Sequence, residues 1–298
     1  MKKKIRIGLF CIIGLVACGG KNEILRTPFP LTSSERSVFQ DENSGEGEFD
    51  ELSSIDNEAM NATSSNSRAE SEFLAWHRDT IRGLDSAQAI WCANILHNQT
   101  ERKILIDFGS GCLGKDGRFR KGKISIEYIP ANGRDFVSLY AAVGNKIITT
   151  YDKFEVDGIN ITATRTSTYK GDNTVEVKVE GGIIAYPDGK KITWNSLRTR
   201  KQIAGMATRR WSDDRFLLNG NTEGITKDNI KFRTTLRDII IDLTCPVSLK
   251  RFPTSGTRIV SFGERYENSR TFEFGNGDCD RKISLRTTDG KSTEITLD

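Results

Sequence analysis

Phe154-Glu155-Val156-Asp157-Gly158-Ile159-Asn160-Ile161 decides the fold of this chain. Asp-Gly supplies two residues that tolerate positive φ, which a two-residue hairpin turn requires. Closed at Asp157-Gly158, the hairpin sets Val156 opposite Ile159 and Phe154 opposite Ile161, so both apolar pairs share a face. The period of two continues outward on both sides. Val175, Val177 and Val179 alternate with Glu176, Lys178 and Glu180; Ile124, Ile126 and Tyr128 alternate with Lys123, Ser125 and Glu127; Ile104, Ile106 and Phe108 repeat the pattern. Turn signals recur at Asp116-Gly117, Asn132-Gly133, Pro187-Asp188-Gly189, Asn219-Gly220 and Asp289-Gly290. At the last of these, a two-residue loop opposes Leu285 and Glu294, whereas a three-residue loop with a G1 bulge pairs Leu285 with Ile295 and Ile283 with Leu297. The reading is an all-β, antiparallel body of about a dozen strands, a sandwich or a long meander.

That body is expected over residues 70–298, opening with a short helix over 70–84 whose stripe is Phe73, Leu74, His77, Ile81 and Leu84. Residues 18–69 are rich in Ser, Glu and Asn, with little to bury, and predict a disordered acidic tether. Between Glu35 and Glu72 stand eleven acidic and two basic residues, while the whole chain carries +4, so an acidic leash precedes a basic body. Residues 1–17 read as an export signal: Met1-Lys-Lys-Lys-Ile-Arg6, an apolar run over 7–17, and small residues before Cys18. Eleven apolar residues cover roughly 16 Å, against a hydrocarbon core of about 30 Å, so the run is too short to span. The pattern is that of a bacterial lipoprotein signal, with Cys18 the acylated first residue and the membrane a partner through that lipid.

Cys92, Cys112, Cys245 and Cys279 remain in the body. An even number in an exported chain favours disulfides, and three pairings exist on paper. Sequence proximity favours 92–112 and 245–279, each closure stabilising by roughly 3–4 kcal/mol.

Catalytic motifs are scarce. Gly109-Ser-Gly-Cys-Leu-Gly114-Lys115-Asp116 approaches a phosphate-cradling loop, but the terminal hydroxyl residue is replaced by Asp116 and a strand follows where the helix belongs. It reads as a turn between strands. The two histidines, His77 and His97, lack partners at metal spacing, and no G-x-S-x-G elbow occurs. Asn276, Asp278 and Asp280 have alternating oxygen spacing but no downstream bidentate Glu. No metal or cofactor is expected. Trp211, Asp213 and Asp214 form the weak ligand-site candidate, two acids beside a sugar-stacking ring. Basic groups at Arg118, Arg120, Lys121, Lys123, Arg198, Arg200, Lys201, Arg209 and Arg210 read as solvated strand faces, and no nucleic-acid partner is expected.

Longer stretches carry a resemblance. Ile106-Asp-Phe-Gly-Ser-Gly-Cys-Leu-Gly-Lys-Asp-Gly-Arg118, Arg120-Lys-Gly-Lys-Ile124 and Pro187-Asp-Gly-Lys-Lys-Ile-Thr-Trp194 are three of them. Trp211-Ser-Asp-Asp214, Leu243-Thr-Cys245 and Phe274-Gly-Asn-Gly-Asp-Cys-Asp280 complete the set. Together they resemble a family of uncharacterised Bacteroidetes-type secreted lipoproteins. The resemblance implies an envelope location, no particular activity, and cysteines at the four body positions, in support of the favoured pairing. The expectation is a non-catalytic lipoprotein of the bacterial outer membrane, facing the periplasm or cell surface. It would serve surface binding or assembly, with a glycan or an envelope protein as partner. The alternative is an exported, glycan-directed hydrolase working through paired carboxylates about 5–10 Å apart.

Overall fold

In the computed structural model the Asp157-Gly158 hairpin closes as expected, Val156 pairing with Ile159 and Phe154 with Ile161. Residues 32–63, 90, 92–133, 136, 138–208, 211–246 and 252–296 are described. The strands are β1 (Asn94–Asn98), β2 (Lys103–Asp107), β3 (Cys112–Leu113), β4 (Phe119–Ile129), β5 (Lys146–Val156), β6 (Ile159–Gly171) and β7 (Thr174–Ala185). They continue as β8 (Lys191–Ala204), β9 (Arg215–Ile225), β10 (Lys231–Asp242), β11 (Pro253–Phe262), β12 (Asn268–Asn276), β13 (Lys282–Thr287) and β14 (Ser292–Thr296). All 14 lie in one open sheet in chain order, with β3 paired only to β4 beside the main path. Every pairing is antiparallel. Of the two architectures expected, the chain takes the meander.

Two turn readings are corrected. Asn219-Gly220 is not a hairpin turn but lies inside β9, opposite a bulge in β10 between Leu236 and Ile239. Asn219 Oδ1 accepts the amide of Asp238 there at 2.8 Å. A side chain thus serves the backbone group that the bulge leaves over. At Asp289-Gly290 the loop has three residues, but they are Thr288, Asp289 and Gly290, so Ile283 faces Ile295 and Leu285 faces Thr293. Gly290 has φ 83°. The left-handed position closes such a loop, so the glycine must be its last residue rather than its middle one.

The cysteines pair as proximity suggested, Cys92 with Cys112 and Cys245 with Cys279, at Cα separations of 5.8 and 5.5 Å. The near phosphate loop is indeed a turn, with Gly114 N bonding Arg118 O and no helix following.

The signal 1–17, Cys18 and the helix expected over 70–84 lie outside the described residues. The tether reading of 18–69 needs correction where it is described, because Ser33–Thr63 is a 31-residue helix, α1. Its start is a capping box: Glu35 N donates to Thr32 Oγ1 at 3.3 Å and Thr32 N donates to Glu35 Oε2 at 2.7 Å. Its buried stripe runs through Glu35, Val38, Glu42, Gly45, Phe49, Leu52, Asp56 and Ala59, alternating steps of three and four. Half of these are not apolar, so composition hid the stripe.

Candidate functional site

The inward face of the sheet carries arginines in line with its apolar residues. Arg165 follows Ile161 and Ala163, Arg198 follows Ile192, Trp194 and Ser196, Arg258 precedes Val260 and Phe262, and Arg270 precedes Phe272 and Phe274. Strand alternation therefore turns them inward, toward α1. Each meets an acid of the helix: Arg270 pairs with Glu35, Arg258 with Glu42, Arg198 with Glu46 through both oxygens, and Arg165 with Asp56 at 3.0 Å. Arg120, fully buried, reaches Glu51 and Asp116, each at 2.6 Å, and Arg118 adds Glu48 and Glu51. Hydroxyls complete the set. Thr234 donates to Glu42 at 3.0 Å, Thr149 to Asp56 at 2.8 Å, and Arg198 also donates to Thr222 Oγ1 at 2.6 Å. The helix thus crosses the strands from β12 to β4 along a row of cations.

Where α1 crosses β7 and β8 it comes very close. A Cβ on Gly45 would lie 2.6 Å from the Trp194 ring, and one on Gly182 would lie 2.8 Å from Phe49 Cζ. Phe49 stacks on Trp194 with ring centroids 5.7 Å apart. The strand register divides the face on either side of this crossing. On one side the row Ile161–Ile184–Ile192 is fully packed. On the other, Arg165–Val179–Ser196, Ser167–Val177–Arg198 and Val175–Arg200–Leu218 floor a cleft.

This cleft has a volume of about 150 Å³ and is bounded by Phe49, Ser53, Asp56 and Met60 of α1, by Ile147, Phe216 and Ile241, and by Leu139 and Tyr140. A volume near 150 Å³ holds a benzene-sized molecule. Arg200 lies 5.2 Å from the Phe216 centroid and donates to Tyr140 Oη at 3.2 Å. Burial raises the Tyr140 hydroxyl above its ordinary pKa, so it stays a neutral hydrogen-bonding group. Asp56 is pushed up to about 6, burial prevailing over the opposing pull of Arg165 and Thr149. Its second oxygen, Oδ1, has no hydrogen-bond partner among the described residues. The combination is an apolar floor edged by guanidinium groups.

The candidates named from sequence lie elsewhere. Asp213 accepts a hydrogen bond from Thr208 Oγ1 at 2.8 Å, while Asp214, 8 % exposed, accepts from Gln202 Nε2 at 2.9 Å. The Asp214 carbonyl also takes the amide of Leu243. These contacts brace the β8–β9 connection. Residue 211 opens a short 3₁₀ turn there. His97 bonds Tyr128 Oη at 2.8 Å, and Asp280 caps the amide of Lys282 at 3.0 Å. Of the basic groups, Lys121, Lys123 and Lys201 are outward and pair with Glu155, Asp107 and Asp172. Arg120 and Arg198 depart from the solvated-face reading. The signal that marks them is parity, since each shares its strand's inward register. No family model, curated protein or solved structure matches the chain.

Proposed function

We propose that this protein is a non-catalytic binding protein of the bacterial cell envelope, anchored in the outer membrane through acyl chains on Cys18, with the cleft beside α1 as its ligand site. The observation that carries the reading is the unequal packing of the inward face. One side of α1 is filled by isoleucines, while the other leaves Val175, Val177, Val179 and Phe216 around a cleft. Concave, mostly apolar sites with a few placed polar groups are the usual form of small-molecule sites. The two disulfides agree with an oxidising compartment outside the cytosol. The basic lead, short apolar run and Cys18 supply the address.

Two measurements test it. Wild type should enter the detergent phase on partitioning and Cys18→Ser should not. The mature chain carrying Cys18→Ser should enhance N-phenylnaphthylamine fluorescence saturably, at one dye per chain, with tryptophan emission changing in step unless Trp194 is replaced by Phe. Aqueous partitioning of the wild type would remove the anchor, and the absence of saturable dye binding would remove the site.

A further inference from the structure

We infer that the cleft takes an anionic amphiphile, a single acyl chain bearing an acidic head, and that this ligand competes with the carboxylates of α1 for Arg165 and Arg198. The inference rests on the cleft being the ligand site. Its first support is charge. Arg118, Arg120, Arg165, Arg198, Arg258 and Arg270 each already receive a carboxylate, and all of these come from α1 except Asp116 at Arg120 and Asp157 at Arg118. The sheet face is therefore a built anion receptor, and α1 is the acid seated in it.

The second support is continuity. Arg198 stands in the same cross-strand row as Val177, and Arg165 in the same row as Val179. An acid head placed at either arginine lays its chain directly on the valines and on Phe216. The third is size. The cleft, open on one side, encloses about 150 Å³, the space of a benzene-sized group. A longer chain is enclosed along its length only if the half of α1 carrying Glu46, Phe49 and Asp56 moves aside, and the head group then supplies the negative charge that Glu46 and Asp56 withdraw. Asp56 is the carboxylate most readily given up, because burial already disfavours its charged form.

The test uses the mature chain with Cys18→Ser, so that its own acyl groups do not compete, and reads displacement of bound N-phenylnaphthylamine. Palmitate, methyl palmitate and palmitoyl lysophosphatidylglycerol are the competitors. Palmitate or the lysolipid should displace the dye, and the neutral ester should be weaker by at least about tenfold, the value of one charge-assisted hydrogen bond. Whichever acid is the stronger identifies the head as carboxylate or phosphate. Val177→Trp should abolish binding of the dye and of palmitate alike by filling the floor. Glu46→Gln with Asp56→Asn should tighten palmitate binding by about three- to tenfold, a gain that misfolding cannot produce. Equal affinity for acid and ester, or no gain in the α1 variant, overturns the inference while dye binding keeps the cleft as a site. Failure of the dye itself to bind overturns both.

Discussion

Replacing Asp56 by Asn probes how α1 is held against the sheet. Asp56 is 2 % exposed, accepts hydrogen bonds from Thr149 and Arg165, and has its pKa raised by burial from 3.8 to about 6. The unfolded carboxyl titrates near its ordinary value. Between about pH 4 and pH 6 the folded chain therefore keeps a proton that the unfolded chain has released. The sign follows: stability from this group is greatest at the acid end of that window and falls as pH rises through about 6. A shift of about two units at 1.36 kcal/mol each amounts to about 3 kcal/mol. Asn does not titrate. The difference in unfolding free energy between variant and wild type should thus move by about 3 kcal/mol in the variant's favour from about pH 4 to about pH 7.5, whatever its starting offset. In thermal melts that is about 6–12 °C for a chain of this size. Urea unfolding followed by far-UV circular dichroism at four pH values measures it. A flat difference, or a variant that loses ground as pH rises, would show that the attraction of Arg165 outweighs burial and would refute the reasoning.

Phe49→Ala should cost about 3–5 kcal/mol in urea unfolding, because the ring is buried against Trp194, whereas a free tether would register no change. Glu42→Gln should destabilise by about 3–5 kcal/mol by removing the carboxylate charge that faces the buried Arg258 guanidinium. Glu42→Leu with Arg258→Met should recover most of that loss, and a double variant no better than the single would contradict the pairing. Cys245→Ala with Cys279→Ala opens a 34-residue closure and should lower stability by about 4 kcal/mol, against about 3 kcal/mol for the 20-residue closure at Cys92 and Cys112; a thiol assay on the native chain should find neither pair free. Gly45→Ala gains about 1 kcal/mol of helix propensity but sets a methyl 2.6 Å from Trp194, so it should destabilise by about 1–2 kcal/mol net; a stabilised variant would mean that α1 does not seat there.

The sheet was legible because alternation is a local signal. Val175, Val177 and Val179 need only their neighbours to declare a face, and Asp157-Gly158 fixes register without reference to anything distant. The limits lie where a distant partner decides. Asn219-Gly220 resembles a turn until the bulge at Asp238 claims its side chain. Helix α1 was illegible for the same reason: Glu35, Glu42 and Asp56 lie on its buried stripe, and each becomes tolerable there only beside an arginine 109 to 235 residues later in the chain. One local clue was present, the capping box Thr32-Ser33-Ser34-Glu35. The cleft followed from neither pattern, since it depends on which side of the sheet α1 leaves unfilled.

The buried stripe of α1 raises a question of register. Glu35, Glu42, Phe49 and Asp56 recur every seven residues, so a slide of about two turns keeps the stripe facing the sheet and would bring Glu42 to Arg270 or Glu35 to Arg258. Apolar burial alone would resist such a slide weakly. Gly45 resists it strongly, because the residues seven away on either side are Val38 and Leu52, and either would drive a side chain into Trp194. Phe49 resists it from the other direction, since Glu42 or Asp56 in its place would set a carboxylate on the indole face and lose the ring stacking. The ion pairs therefore contribute orientation, with their desolvation offsetting much of their attraction, while the contact at Trp194 selects one alignment. An element positioned by steric fit and exchangeable charges, with modest apolar burial, is one that a competing acid can lift from one side of that contact while the other side stays packed. The cleft lies on the side of Arg165, Arg198 and Arg200, and Phe49 stands at the boundary between the two sides.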